Sequence, residues 1–143
     1  MTIKKFGTAH WEGSIKEGKG TVSTESGALS AQPYGFNTRF EGVAGTNPEE
    51  LIGASHAACF AMALSGILGS AGLTATALDA KSVISLEKQA DGFAVTAAHL
   101  TLTATIPGVT EDQFQELAAK AKAGCPISKL LKAEITLEAT LKA

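Results

Sequence analysis

The two cysteines, Cys59 and Cys125, are the residues of this sequence whose side chains could most directly do chemistry. A cysteine can act through its thiolate as a nucleophile or a metal ligand, and two cysteines can form a disulfide. It can equally be a small buried apolar residue, because cysteine is among the most buried residue types. Composition alone favours this second interpretation, so the local setting of each cysteine has to decide.

Two further roles for the cysteines are not favoured. The N-terminal segment MTIKKFGTAHWEG lacks the apolar run of a secretory signal, which predicts a cytoplasmic location where thiols stay reduced and structural disulfides are rare. A zinc site could join His56 and Cys59, which share one helix face, to Cys125. The other histidines, His10 and His99, do not supply the second close ligand pair of such sites, so we predict no metal.

The two cysteines have different predicted settings, as the members of a redox pair would. Cys125 precedes Pro126 and is predicted to cap a short helix, where free backbone N–H groups favour a thiolate. Cys59 lies in the middle of an apolar helix, where its surroundings would raise its pKa. A reactive Cys59 therefore needs a cation brought by folding. Arg39, the only arginine, could hold both a thiolate and a carboxylate, or it could be an exposed strand charge.

The helix that carries Cys59 has a clear predicted start. In TNPEEL, Asn47 can cap the helix, Pro48 fits its first position, and Glu50 completes a capping box. Glycines after Leu68 predict its end, which gives roughly 20 to 24 residues. No charge occurs in residues 51–78, but the glycines and polar residues there favour a helix surrounded by protein over a membrane span.

Strands are expected to surround this helix. Alternating apolar residues in residues 79–106 predict two long strands joined by a hairpin turn at Asp91 and Gly92, and residues 134–142 alternate in the same way. Shorter strands are predicted around residues 4–11, 20–26 and 37–40. An amphipathic helix is expected to be capped by Thr110, and Gly124 is predicted to lie just beyond its end as the C′ residue. The sequence thus predicts a single α+β domain, residues 1–143, with antiparallel sheets.

The charge pattern argues against nucleic acid as a partner. Twelve Lys and Arg residues are balanced by 14 Asp and Glu residues, giving a formal net charge of -2. No basic run or aromatic-interleaved basic patch is present that could follow a phosphate backbone. We expect neither a nucleic-acid nor a membrane partner.

Three segments closely resemble one known family. PYGFNTRFEG, GTNPEELIGASHAACFAMALS and AKAGCPISK are similar to the osmotically inducible OsmC proteins, relatives of the organic hydroperoxide resistance proteins, and the resemblance extends over the whole chain. It implies a peroxiredoxin-like thiol peroxidase that reduces organic hydroperoxides in oxidative or osmotic stress defence. It also implies an intertwined homodimer in which sheets wrap long central helices. No cofactor is implied beyond an external dithiol reductant, of the lipoyl type in related proteins.

The resemblance also assigns roles to four residues. By position, Cys59 matches the peroxidatic cysteine and Cys125 the resolving cysteine, so a sulfenic acid on Cys59 would be followed by a Cys59–Cys125 disulfide. Arg39 and Glu49 match the charged pair beside the first thiol. The apolar surroundings of Cys59 predict a preference for organic hydroperoxides over hydrogen peroxide.

Helix geometry constrains how Glu49 could act on Cys59. Ten residues of one continuous helix separate them by about 15 Å, so they cannot share a small site within that helix. Either the helix begins later than its capping signals indicate, or the Glu49 beside a given Cys59 comes from the other subunit. We favour the second alternative, which makes the dimer obligatory for activity. Without the resemblance, Glu49 would be interpreted as a favourable acid in the first turn of a helix.

Two other classes of function stay open on the sequence alone. The chain could be a non-catalytic protein that binds a small apolar ligand and whose cysteines are incidental. It could also be a structural stress protein stabilised by dimerisation. Loss of two titratable thiols on exposure to peroxide would argue against both.

Overall fold

Six strands and four helices make up the computed structural model, which describes residues 1–143. They fall into two compact units, Met1–Leu51 and Ile52–Ala143. The first unit contains β1 (Gly7–Glu12), β2 (Lys19–Thr24), β3 (Gln32–Tyr34), α1 (Phe36–Phe40) and the first turn of α2 (Pro48–Ser70). The second contains the rest of α2, then β4 (Ala77–Gln89), β5 (Gly92–Thr105), α3 (Glu111–Gly124), α4 (Pro126–Leu130) and β6 (Glu134–Leu141). The predicted α+β class is confirmed.

The first unit contains a three-stranded antiparallel sheet in the order β1-β2-β3. The prediction of a strand at residues 37–40 is wrong, because these residues form α1. The Thr38 hydroxyl oxygen accepts the Gly35 N–H at 2.9 Å, and the Thr38 hydroxyl is 3.0 Å from the Gly35 carbonyl, to which it donates. These local bonds close a helical turn that competes with strand pairing, as threonine side chains commonly do.

Helix α2 begins where its capping signals predict. Asn47 Oδ1 accepts the backbone N–H of Glu50 at 2.8 Å, and the helix continues for 23 residues. The later start considered for this helix is therefore excluded. By length and composition α2 could cross a membrane. One face of it nevertheless forms part of the core of the second unit, through Phe60, Leu64 and Leu68.

The opposite face of α2 is exposed in the single chain. Its exposed residues are small or apolar: Ala54, Ser55, Ala58, Met62, Ser65, Gly66, Gly69 and Ser70. Met62 has 79% of its surface exposed. We expected the helix to be surrounded by protein on all sides, but within the single chain only one face of it is buried.

Strands β4 and β5 form the predicted antiparallel hairpin, with two differences in detail. Gln89 pairs with Gly92, so the turn residues are Ala90 and Asp91 instead of Asp91 and Gly92. Gly92 adopts a φ of 125°, which only glycine tolerates well. A bulge at Thr96 changes the alternation, because Ser85 pairs with Ala97 while Leu86 pairs with Val95. Beyond the bulge three apolar side chains of β5 face the core: Leu100, Leu102 and Ala104.

The prediction of purely antiparallel sheets is wrong for the last strand. β6 pairs parallel with β5, from Ala97 opposite Glu134 to Ala104 opposite Leu141, so the second sheet is mixed, in the order β4-β5-β6. Parallel neighbours require a long crossover connection, and α3 and α4 supply it here. Alternation of apolar and polar residues is the same in either orientation, which is why β6 itself was located correctly.

Helix α3 connects the sheet to the second cysteine. Thr110 Oγ1 accepts the Gln113 N–H at 3.2 Å, which confirms the predicted cap. The buried face of α3 has the predicted residues: Phe114, Leu117, Ala118 and Ala121. Gly124 is the last residue inside the helix instead of the first beyond it, and Cys125 ends the helix.

Candidate active site

Cys125 stands at a junction between two helices. Its backbone N–H donates to the Ala121 carbonyl at 3.0 Å and so closes α3. Its side-chain sulfur accepts the Ser128 N–H at 3.4 Å and so caps α4, with Pro126 in the first turn. The predicted capping role of Cys125 is confirmed. The residue is completely buried.

Cys59 lies on α2 within hydrogen-bonding reach of Cys125. Both thiols are free, and Cys59 is half-buried where it packs against the core. The backbone N–H of Ile127, in the first turn of α4, is directed at both sulfurs. The second unit therefore brings the two predicted cysteines together, with the start of α4 supplying donors to the pair.

The pKa values of the two thiols are shifted in opposite directions. Burial raises the pKa of Cys59, and the neighbouring Cys125 raises it further, while the Ile127 N–H opposes this rise. Burial also raises the pKa of Cys125, but hydrogen bonds from Ser128, Cys59 and Ile127 outweigh it, and the net pKa is lowered. A thiolate in this pair is thus best accommodated on Cys125, as expected for a sulfur at a helix start.

A buried histidine adjoins the cysteine pair. His56 Nδ1 lies 2.8 Å from Ser82 Oγ on β4, and His56 Nε2 lies 2.8 Å from Ser128 Oγ on α4. Burial lowers the pKa of His56 and favours the neutral ring. Both ring nitrogens are therefore engaged by hydroxyl groups.

Arg39 and Glu49 form a second predicted pair, in the first unit. Arg39 Nε donates to Glu49 Oε2 at 3.1 Å, and Arg39 Nη2 donates to Glu49 Oε1 at 2.6 Å. This two-point contact is the strong, orienting form of an arginine–carboxylate pair. Asn47 Nδ2 donates to the Thr38 carbonyl at 3.2 Å and so ties the start of α2 to α1. Arg39 is thus exposed, as its alternative interpretation required, but it lies on α1 instead of a strand and is paired with Glu49.

The first unit contains two apolar cavities that share Tyr34 and Pro48, and one of them is lined by Arg39. A cavity of about 60 Å³ is lined by Arg39 together with aromatic and apolar side chains, namely Trp11, Ile15, Tyr34, Phe36, Phe40 and Pro48. A second, of about 210 Å³, is lined by Ala9, Val22, Tyr34, Thr46, Asn47, Pro48 and Leu51. The guanidinium of Arg39 lies 5.5 Å from the centre of the Phe40 ring. A charged group thus faces apolar space in this unit.

Three polar residues near the thiols were missed from the sequence as functional candidates. Ser128 could have been found, because it stands three residues after the cap Cys125, where a side chain can return to the cap. The sequence suggests His56 only as a possible zinc ligand. Ser82 gives no signal in the sequence, because only the folded sheet brings it opposite His56.

The fold and the thiol pair define a class, that of cysteine-based redox proteins. The sequence model of the OsmC-like proteins matches residues 40–140, and the chain belongs to this family. It is 62% identical over 142 residues to peroxiredoxin OsmC of Escherichia coli (strain K12), with 99% of each chain covered. It is 28% identical over 124 residues to organic hydroperoxide resistance protein OhrB of Bacillus subtilis (strain 168), covering 86% of this chain and 89% of that protein.

A solved structure supports the same assignment. The crystal structure of an organic hydroperoxide resistance protein OsmC from Legionella pneumophila is similar with a TM-score of 0.71 and 25% identity, covering 100% of this chain and 99% of that one. The apolar face that α2 buries makes it a core helix of the second unit.

Proposed function

We propose that this protein is a thiol-dependent peroxidase that reduces organic hydroperoxides to alcohols in oxidative and osmotic stress defence. The observation that carries the proposal is the contact between two free thiols, Cys59 and Cys125, whose pKa values are shifted in opposite directions. Such a contact allows a disulfide to form without a large rearrangement. The relatives named peroxiredoxin OsmC and organic hydroperoxide resistance protein support the same chemistry.

The reaction needs two sulfur steps. The Cys59 thiolate attacks the distal peroxide oxygen, an S–O bond forms as the O–O bond breaks, and the leaving alkoxide takes a proton and departs as the alcohol. Cys125 then attacks the sulfur of the Cys59 sulfenic acid, an S–S bond forms as the S–O bond breaks, and water leaves. An external dithiol, of the lipoyl type, reduces the disulfide by exchange and restores both thiols. The protein itself needs no cofactor.

The Arg39–Glu49 pair is proposed to activate Cys59 across a dimer. The pKa of Cys59 is raised in its own surroundings, so its thiolate needs a nearby cation. Glu49 and Cys59 lie ten residues apart on the uninterrupted helix α2, about 15 Å along its axis. Arg39 and Glu49 of the second subunit are therefore the pair that we assign to each Cys59, and the exposed apolar face of α2 is the surface that the partner covers.

The apolar space beside Arg39 is proposed to receive the organic part of the substrate. The cavity of about 60 Å³ has mostly apolar walls beside Arg39, and the cavity of about 210 Å³ shares Tyr34 and Pro48 with it. An alkyl or aryl hydroperoxide gains burial there that hydrogen peroxide cannot gain. We expect a higher kcat/KM for cumene hydroperoxide than for hydrogen peroxide, and equal values would contradict this preference. A cytoplasmic location, without nucleic-acid or membrane partners, belongs to the same proposal.

Thiol titration tests the proposed reaction. We expect cumene hydroperoxide to remove two titratable thiols per reduced chain and a dithiol to restore both. Cys59→Ser should abolish turnover, and Cys125→Ser should stop catalysis after a single oxidation of Cys59. Serine retains an acceptor atom at the cap of α4, so Cys125→Ser should preserve the fold. Two thiols that persist after treatment with hydroperoxide would contradict the proposed function.

Mixed dimers test the shared site. Cys59→Ser and Arg39→Gln chains should each be inactive alone. After mixing and subunit exchange, about half of the dimers contain one chain of each kind, and each has one intact site, so about a quarter of the parent activity should return. If Arg39 served the Cys59 of its own chain, the mixture would stay inactive. Refolding each variant alone is the matched control.

A further inference from the structure

We propose that His56 is a positioning residue for Cys125. Its Nε2–H donates to Ser128 Oγ and thereby turns the Ser128 hydroxyl proton toward the Cys125 sulfur. The role in turnover rests on the proposed function, in which Cys125 resolves the oxidised Cys59. The hydrogen-bond chain itself can be tested without any peroxidase assay.

The geometry joins three separate segments through one ring. His56 is fully buried on α2, and Ser82 and Ser128 each lie 2.8 Å from one of its two nitrogens. Ser128 is itself buried, and both its N–H and its side chain are hydrogen-bonded to Cys125. A fixed chain of contacts therefore runs from Ser82 on β4 through the histidine to the sulfur.

The direction of this chain follows from counting protons. A Cys125 thiolate can only accept hydrogen bonds, so the single hydroxyl proton of Ser128 has to be donated to the sulfur. Ser128 Oγ then has to accept from His56, which places the ring proton on Nε2. A neutral imidazole carries one N–H, so Nδ1 accepts the hydroxyl proton of Ser82. Every polar atom of the chain is satisfied in this arrangement, as buried polar groups require.

The consequence is a further donor held at the sulfur. The backbone N–H of Ser128 already donates to Cys125 as the cap of α4. The histidine adds an oriented hydroxyl to it and ties the first turn of α4 to β4. These donors favour the thiolate of Cys125 beside Cys59, the state that would attack a sulfenic acid on Cys59.

The first test measures Cys125 alone. In a Cys59→Ser chain, Cys125 is the only remaining cysteine, and its thiolate can be followed by absorbance at 240 nm as pH is varied. We expect His56→Leu to lower the thiolate fraction about tenfold at a pH below the transition, the effect of losing one hydrogen bond to a charged group. His56→Gln retains a donor near Ser128 and should restore part of the loss. Unchanged titration in His56→Leu would overturn the proposal.

Two controls separate positioning from general damage. His99→Leu removes a histidine on β5 that bonds Thr136 instead of the cysteine pair, and it should leave the Cys125 titration unchanged. Ser128→Ala removes only the hydroxyl and keeps the backbone cap, so it should reduce the thiolate fraction even if His56→Leu fails to fold. A Ser128→Ala chain that titrates like its parent would overturn the proposal.

The second test needs no variant. Nitrogen-15 chemical shifts of the reduced parent protein distinguish the two neutral tautomers, and we expect His56 to carry its proton on Nε2 at a pH where Cys125 is a thiolate. A proton on Nδ1, or a charged ring, would overturn the proposal. A protein that fails to consume hydroperoxide but shows the expected tautomer and Cys125 titration would contradict the proposed function and leave this inference standing.

Discussion

At the scale of single residues, the local surroundings shift the pKa of Cys59 upward and that of Cys125 downward. The N–H of Cys59 is used inside α2, and burial dominates its pKa. Cys125 faces the free N–H groups that begin α4, and these lower its pKa in spite of burial. The proposed nucleophile is thus the less acidic thiol, which makes its reactivity depend on a cation from elsewhere. Activity should therefore respond more strongly to Arg39 than to the surroundings of Cys59 itself.

The burial of His56 predicts how the free energy of unfolding depends on pH. Burial lowers its pKa from the ordinary value of 6.5, so below that value the unfolded chain binds the proton more readily than the folded chain. The free energy of unfolding should therefore decrease as pH falls below 6.5, down through the pKa of His56 in the folded state. Urea unfolding between pH 7.5 and 5 should show a smaller decrease for His56→Leu than for His99→Leu. Equal decreases in the two variants would contradict this assignment.

The residues of the site were predictable to the extent that their signals are local. The capping role of Cys125 follows from its position before Pro126, and the Arg39–Glu49 pair follows from the resemblance to a family. The bonds of His56 could not be found, because its partners Ser82 and Ser128 are 26 and 72 residues away in sequence. Serine is also common on strands and helix starts for reasons unrelated to a histidine.

At the scale of elements, the approach of α2 to β4 is set by one glycine. A Cβ atom on Gly53 would lie 2.8 Å from the carbonyl oxygen of Ser82. Gly53 is one turn before His56 on the same buried face of α2. The missing side chain thus lets the helix come close enough for His56 to reach the Ser82 hydroxyl.

Gly53→Ala should destabilise the protein. The added methyl group meets backbone that cannot rotate away, so α2 has to move, at a cost of about 1–3 kcal/mol in the free energy of unfolding. Gly124→Ala is the matched control, because no atom lies within 4 Å of its added Cβ, and it should stay within about 1 kcal/mol of the parent. Urea unfolding measures both. Equal stability of the two variants would show that the close approach is not constraining.

The order and boundaries of elements were largely predictable, but their partners were not. Caps fixed the starts of α2 and α3, since Asn47 and Thr110 each bond a backbone N–H three residues on. The orientation of β6 could not be obtained, because an alternating pattern is the same for a parallel and an antiparallel edge. Residues 37–40 have strand-like types, and the hydrogen bonds of Thr38 override that preference.

At the scale of the whole molecule, the single chain buries only one of the two faces of α2. Its buried face belongs to the core of the second unit, while the face around Met62 is apolar and exposed. A helix with no charged residue after Glu50 is unusual with a face in water. In the dimer that we propose, this face is buried against a second copy, and Arg39 and Glu49 of one chain serve Cys59 of the other.

Met62→Glu should therefore convert the proposed dimer into monomers. A buried charge on this face would be unpaired in the assembly but hydrated in the separate chain. Sedimentation should show the change, and peroxidase activity should fall with the dimer fraction. Val83→Glu is the matched control, because Val83 is an exposed apolar residue of β4. It follows Ser82, which bonds the buried face of α2 through His56, so its side chain points to the other side of the sheet, and the variant should leave mass and activity unchanged. A dimeric, active Met62→Glu protein would contradict the role of this face.

The parallel pairing of β5 with β6 has a consequence for how fast the protein folds. The β4–β5 hairpin closes through a two-residue turn, whereas β6 can pair only after α3 and α4 have closed a long loop. Closing such a loop is entropically costly, so β6 should dock after the rate-limiting barrier has been crossed. Leu137→Ala on β6 should then accelerate unfolding and leave the refolding rate nearly unchanged, while Leu102→Ala on β5 should slow refolding. Stopped-flow fluorescence across a denaturant series would separate the two, and equal slowing of refolding would place β6 in the folding nucleus.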